Sequence, residues 1–230
     1  MNTEERINQW LSGPYDEETK NEIRRMQREN DPELQESFYT ELDFGTGGLR
    51  GIMGVGPNRM NKYTVGTATQ GLANYLKESF PGTQISVAIA YDCRNNSDYF
   101  ASVAADVLSA NEIKVFLFDA LRPTPELSFT VRHLRCQAGI VITASHNPKE
   151  YNGYKVYWND GGQLVPPHDK NVITAVRAIS GIDQVKFQRN ADLVTGIGKG
   201  IDEIYLRQIM QIVLSPEAID KQHRMPVVYT

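Results

Sequence analysis

The residues from Thr143 to Lys155 read TASHNPKEYNGYK and gather a hydroxyl (Ser145), an imidazole (His146), an amide (Asn147) and two ammonium groups (Lys149, Lys155) in one short stretch. A serine among cations can take up a phosphoryl group and pass it on, because nearby positive charge offsets the charge on the transferred group. Asn147-Pro148 and Asn152-Gly153 are turn dipeptides, which predicts a loop that brings Lys155 back towards Ser145. The competing reading is a polar loop in which Ser145 and Asn147 only cap a turn. Acyl transfer is disfavoured, since a nucleophile elbow needs G-x-S-x-G and here Thr143 and Asn147 flank the serine. His146 is expected to be a poor base for Ser145, because neighbouring side chains on an extended chain point apart.

A second stretch, Phe44-Gly45-Thr46-Gly47-Gly48-Leu49-Arg50-Gly51, can line a phosphate with the backbone amides of Thr46 and Gly47 and aim Arg50 at it. It is no P-loop, lacking Gly-Lys-Ser/Thr, and no dinucleotide fingerprint, because Arg50 stands where the third glycine belongs. Residues 44–56 hold six glycines, which predicts a chain too flexible for a helix or an ordinary strand; a tight turn against the core is the alternative. Asp92, Arg94, Asn95 and Ser97 follow an apolar run. Arg94 there is either a second anion contact or part of a helix start capped by Asn96 or Ser97. Arg122-Pro123-Thr124-Pro125 reads as a helix start with Pro125 in the first turn. His133, His168 and His223 have no carboxylate or histidine at ligand spacing, and Tyr151, Tyr154, Tyr157 and Trp158 read as packing.

These segments need a scaffold, and the periodicities supply one. Ile85–Tyr91, Ile113–Phe118 and Ala138–Thr143 are apolar runs of buried-strand length. Helical spacing links Val65, Ala68, Leu72, Leu76 and Phe80, then Phe100 to Leu108, and a helix is expected over Pro125–Leu134. Alternating strands and helices predict a layered α/β/α domain with a mixed sheet. Tyr154–Trp158, the turn Asn159-Asp160-Gly161-Gly162 and Gln163–Val165 read as a hairpin ended by Pro166-Pro167, with a helix over 169–179. Ahead of this domain, residues 1–40 read as two or three short helices broken at Gly13-Pro14 and Asp31-Pro32, with Ile7, Trp10, Leu11, Ile23, Met26, Leu34 and Phe38 as core. Beyond it, Gly196–Gly200 reads as a hinge, Ile201–Val213 as a helix and Met225–Thr230 as an opening strand. The expected division is a helical extension (1–40), the main domain (41–198) and the start of a similar second domain (199–230) in a piece of a longer polypeptide.

The 230 residues carry 24 Lys+Arg against 28 Asp+Glu, a formal charge of −4, so no basic footprint for nucleic acid or an anionic membrane exists. An anionic ligand must therefore be held by a local site. Hydrophobic residues make up 40%, which is globular composition. The charged N-terminus lacks a signal-peptide core, no window approaches 18 uninterrupted apolar residues, and the two cysteines, Cys93 and Cys136, form no CxxC pair. A reduced, cytoplasmic protein with no membrane segment is the expectation.

Thr143–Pro148 followed by Tyr151-Asn152-Gly153-Tyr154-Lys155, with FGTGGLRG at 44–51, resembles the serine signature of the α-D-phosphohexomutases, the phosphoglucomutase/phosphomannomutase family. The likeness covers about residues 41–200, the family's first domain, and is nearest the branch of glucose and pentose phosphomutases. The resemblance implies a phosphoprotein of carbohydrate metabolism that acts on sugar phosphates. Its reaction moves phosphate between C1 and C6 of a hexose through a 1,6-bisphosphate, with glucose 1,6-bisphosphate as activator. Ser145 would carry the phosphoryl group and, through it, contact Mg²⁺. Lys155 matches the family lysine associated with acid–base work and Arg50 the arginine near the transferring phosphate; His146, in the same loop, would hydrogen-bond substrate or position the phosphate, and Asn147 with Arg94 would bind the substrate's phosphate. The family's other magnesium ligands come from a D-G-D-x-D-R loop that these residues do not contain, so the 230 residues alone are expected to bind Mg²⁺ weakly and to turn over negligibly. A sugar-phosphate-binding module without catalysis is the rival from another class. Mannose, glucosamine and pentose phosphates rival glucose.

Overall fold

The computed structural model describes residues 2–45 and 48–228. Thr46 and Gly47 lie outside the described residues, and so does the phosphate contact expected of them. The chain opens with α1 (Thr3–Ser12), α2 (Glu17–Arg28) and α3 (Glu33–Phe38). Asn2 and Glu5 close a capping box on α1, and Asp16 caps α2 by accepting from the Thr19 amide. Ile7, Trp10, Ile23, Met26, Leu34 and Phe38 bury together with Tyr63 as a small core of their own.

Asp16 ties this cluster to the next helix, α4 (Lys62–Ser79). Its carboxylate accepts from Thr19 N at 2.7 Å and from the Tyr63 hydroxyl at 2.9 Å, and it pairs with Lys62. Burial alone would push this carboxyl's pKa upward. The bonds from Lys62, Thr19 and Tyr63 outweigh burial and hold it well below its ordinary 3.8.

After α3 comes β1 (Gly48–Ile52), inside the stretch expected to be too flexible for a strand. Glycine is the reason the strand forms rather than an obstacle to it. Gly48 sits at φ +125°, and a Cβ there would fall 1.7 Å from the Tyr154 carbonyl oxygen. The remaining elements are β2 (Ser86–Tyr91), α5 (Ser97–Ala110), β3 (Lys114–Phe118), α6 (Thr124–His133), β4 (Ala138–Ile142), β5 (Tyr151–Trp158), α7 (His168–Arg177) and β6 (Val194–Ile197).

The six strands form one mixed sheet in the order β1-β5-β4-β2-β3-β6. The run β4-β2-β3-β6 is parallel, while β5 pairs antiparallel with both β4 and β1. The crossovers β2-α5-β3 and β3-α6-β4 travel in opposite directions along the sheet, so right-handedness puts α5 and α6 on opposite faces. Packing agrees: Ile140, Ile142, Tyr154 and Val156 share a core with α4 and α5, whereas Gly139 faces Leu127 and Val131 of α6. This is the layered α/β/α architecture with a mixed sheet expected above.

Several local expectations need correction. Asn152-Gly153 is not a turn; both residues lie in β5, and the reversal happens before them. The second hairpin strand over Gln163–Val165 reduces to a bridge between Tyr157 and Gln163, being too short before Pro166 to build a ladder. Gly196 belongs to β6, a four-residue strand recruited by the open edge of β3 rather than by its own pattern. The described residues from Gly198 onward form a separate compact unit with α8 (Lys199–Met210) and α9 (Pro216–Lys221). Residues 225–228 are not strand, because among the described residues no ladder partner meets them, and Tyr229 and Thr230 lie outside the description. No described helix is long and apolar enough to cross a membrane.

A carboxyl whose pKa is depressed by folding stabilises the fold above its unfolded value, and that stabilisation disappears as pH falls through the folded one. Asp16→Asn should therefore lower the thermal midpoint at neutral pH. The gap to wild type should close as pH drops below 3.8, which paired thermal melts across that range will show.

Candidate active site

Ser145 lies just past β4, at the carboxyl edge of the parallel strands, where β4 and β2 adjoin and the strand order reverses. Open α/β sheets place ligands at such a point. The residue is exposed and takes a left-handed backbone, φ +57°. That conformation costs a non-glycine residue about 1 kcal/mol. It is held from both sides: the Ser145 amide donates to Thr143 Oγ1 at 3.0 Å, and the Ser145 carbonyl accepts from Arg94 Nη2 at 2.7 Å. The same turn brings His146 Nδ1 to 3.4 Å from Ser145 Oγ. The expectation that these side chains diverge presumed an extended chain, and the left-handed residue removes that premise. At 3.4 Å the contact is long for a hydroxyl bond.

Arg94 does more than hold one carbonyl. Nη2 also donates to Asn147 O, and Nη1 donates to Pro148 O at 2.9 Å and Tyr151 O at 3.1 Å. Nε faces Asp92 Oδ2 at 3.6 Å. Every edge of this guanidinium is turned inward, to the loop and its own turn, an arrangement distinct from both readings offered by the sequence, an anion contact and part of a helix start. Asp92 Oδ1 in turn accepts from Arg94 N at 3.0 Å and Ser97 Oγ at 2.8 Å. Asn152, fully buried, donates Nδ2 to Asn95 O at 3.1 Å and Ser97 Oγ at 3.0 Å. The helix-cap reading changes accordingly. Asn96 takes the cap position of α5 at φ +61° but its side chain caps no helix amide, donating instead to Met53 Sδ at 3.7 Å, and the Ser97 hydroxyl serves Asp92.

Arg50 reaches the loop from the other side, with Nη1 donating to Asn147 Oδ1 at 3.1 Å. In the β1–β5 ladder Arg50 stands opposite Gly153, and Gly48 opposite Lys155, so Arg50 and Lys155 are diagonal neighbours on one face. A Cβ at Gly153 would lie 2.5 Å from Thr143 O, so glycine lets the loop's entry pass close over β5. Lys155 is half-buried opposite Val141, well down the ladder from Ser145. Lys149 is exposed in the loop itself. The structure thus brings Ser145, His146, Asn147, Arg50 and Arg94 into one connected group, with Lys155 on the neighbouring strand. Sequence reasoning missed the bracing parts played by Thr143, Ser97 and Asn152; an Asn inside a strand and flanked by buried residues was the available signal for the last.

These residues do not by themselves fit a magnesium site. Both Asp92 oxygens already face donors, and the described residues hold no cluster of three or more His, Cys, Asp or Glu able to take a metal. His133 stacks on Phe129, His168 on Trp158, and His223 faces Asp220 O, all packing or surface contacts.

Residues 41–182 match the family described as phosphoglucomutase/phosphomannomutase, alpha/beta/alpha domain I. The chain belongs to the phosphoglucomutase/phosphomannomutase family. Its serine loop, Arg50 and Arg94 all fall inside the matched span. The chain is 43% identical over 176 residues to a human phosphopentomutase, covering 73% of this chain and 29% of that protein. It is 38% identical over 200 residues to a phosphoglucomutase of Staphylococcus haemolyticus, covering 85% and 35%. A solved phosphoglucomutase/phosphomannomutase family protein from Burkholderia thailandensis matches with a TM-score of 0.60, covering 76% of this chain and 36% of that one; at 18% identity the likeness concerns the fold alone. The chain spans about a third of the length of the curated relatives it matches.

Cys93 lies exposed between Asp92 and Arg94, while Cys136 is buried and its thiol is pushed up to about 11, chiefly by burial. A thiol reagent at mildly alkaline pH should modify Cys93 quickly and Cys136 only on unfolding. Equal labelling of both in the native protein would contradict this packing.

Proposed function

We propose that this chain is the phosphoserine domain of a mutase that interconverts hexose 1-phosphate and hexose 6-phosphate, with Ser145 as the covalent carrier. The observation that carries this reading is an exposed serine hydroxyl at the sheet's ligand edge, its backbone tied on both sides, in a family of mutases. In the forward half-reaction a sugar hydroxyl oxygen bonds to phosphorus, the bond from phosphorus to Ser145 Oγ breaks, and the hydroxyl proton leaves to a base. The resulting 1,6-bisphosphate turns over, and Ser145 Oγ takes back the other phosphoryl group.

Arg50, hinged on Asn147, is suited to hold charge on the transferring group rather than to move protons. Lys155, on the same face but down the ladder, is suited to a sugar hydroxyl standing over the sheet rather than to Ser145 itself. His146 contributes a polar contact beside Oγ. Thr46 and Gly47 keep their assignment as phosphate-binding amides. Mg²⁺ is the cofactor we assign to the whole reaction. Because its carboxylate ligands are not among the described residues, the 230 residues alone are assigned negligible turnover, in a cytoplasmic setting. Pentose phosphate is the second substrate reading, supported by the 43% identity to the human phosphopentomutase.

Treatment of the longer protein that carries this domain with Mg²⁺ and glucose 1,6-bisphosphate, followed by peptide mass spectrometry, should find one phosphoryl group on the Ser145 peptide and none in Ser145→Ala. In the protein that carries this domain, Ser145→Ala should lower mutase turnover by at least about a thousandfold. Wild-type turnover by that variant would overturn the assignment.

A further inference from the structure

We propose that Arg94 is a positioning residue that aims Ser145 for phosphoryl transfer by bracing the loop's backbone, and that it does not contact the sugar phosphate. The inference rests on the phosphoserine reading for its chemical meaning and on geometry for its substance. An arginine that binds an anion presents a free edge of its fork to solvent. Arg94 has none: its two terminal nitrogens serve the carbonyls of Ser145, Asn147, Pro148 and Tyr151, and Nε faces Asp92. Its side chain is only 13% exposed.

The brace is anchored in the sheet. Asp92 N donates to Ile142 O at 3.1 Å, which extends the ladder between β2 and β4 to the foot of the loop. Asp92 fixes Arg94, Ser97 fixes Asp92, and Asn152 ties Ser97 to Asn95. The β2–α5 turn, the start of β5 and the serine loop therefore move together.

The reason this bears on catalysis lies in Ser145. Among the described residues its hydroxyl has one side-chain contact, the long one to His146, so there its direction is set by the backbone. A left-handed residue outside glycine persists only where its surroundings over-determine it. Here they do so through the Thr143 hydroxyl on the amide and the Arg94 fork on the carbonyl. Loosening either lets Oγ swing, and a misplacement of about 1 Å in a reacting group costs about a hundredfold in rate.

The test compares wild type with Arg94→Ala, Arg94→Lys and Thr143→Val in the longer protein that carries this domain, supplied with Mg²⁺, using hydrogen exchange and the rate of phosphoryl uptake by Ser145 from glucose 1,6-bisphosphate. Lysine keeps the charge but cannot span four carbonyls. Both Arg94 variants should exchange amides of 144–151 at least about tenfold faster while α4 and β2 stay protected. Thr143→Val, which deletes only the acceptor for the Ser145 amide, should loosen the same segment. Maximal uptake should fall about a hundredfold in both Arg94 variants, with the half-saturating bisphosphate concentration within about twofold of wild type.

Unchanged exchange in the loop would overturn the proposal. So would full rescue of uptake by Arg94→Lys, which would make charge sufficient, or a loss confined to half-saturation, which would make Arg94 a substrate contact. If Arg94→Ala loses protection throughout, Arg94→Lys and Thr143→Val decide the matter. Failure of wild-type Ser145 to take up phosphoryl would count against the phosphoserine reading, and loop exchange would still decide the brace.

Discussion

One unfavourable backbone conformation governs the arrangement of this domain's loop. Ser145 is left-handed, and the strain is held by the Thr143 hydroxyl on its amide and the Arg94 guanidinium on its carbonyl. Once it is held, the hydroxyl stands clear of the sheet, His146 folds in beside it, and Asn147 turns to meet Arg50. If Ser145 relaxed to an extended conformation, the neighbouring side chains would separate and the loop carbonyls would turn away from Arg94. Four carbonyls facing one cation are also mutually dependent: none of those bonds is well placed unless the others are.

The sheet supplies what the loop cannot. A loop this polar buries little apolar surface beyond Ala144, so its order comes from the Arg94 fork and from where its ends are fixed. Its entry continues a strand buried on both faces, and its exit begins a strand that runs back antiparallel. Two close backbone approaches make this geometry possible, at Gly48 beside Tyr154 and at Gly153 beside Thr143. Arg50 is delivered by the outermost strand of the same sheet, which is why a residue far away in the sequence meets Asn147.

Much of this was legible beforehand. The apolar runs that become β2, β3 and β4 are continuous because parallel strands are covered on both faces, and their identity survives without any knowledge of neighbours. The helices between them show in spacing for the same reason. The loop's chemistry was legible as residue types, since few stretches combine Ser, His, Asn and Lys so densely. The direction of Arg94 was not, because an arginine reads alike whether it faces carbonyls or an anion. Strand β1 was hidden by its glycines, which signal flexibility in isolation and close approach once β5 is present. Strand β6 was hidden because an edge strand is defined by its neighbour, and the strand expected over Met225–Thr230 shows the converse, since residues 225–228 meet no partner among the described residues.

Phosphate leaving the serine for a sugar is the proposed central step, and a chase experiment addresses it directly. Protein carrying labelled phosphate on Ser145 would be mixed with unlabelled hexose monophosphate and sampled rapidly. The label should leave the protein and appear in hexose bisphosphate. Label that stays on Ser145 while sugar phosphates interconvert, or that is released only as inorganic phosphate, would contradict the relay.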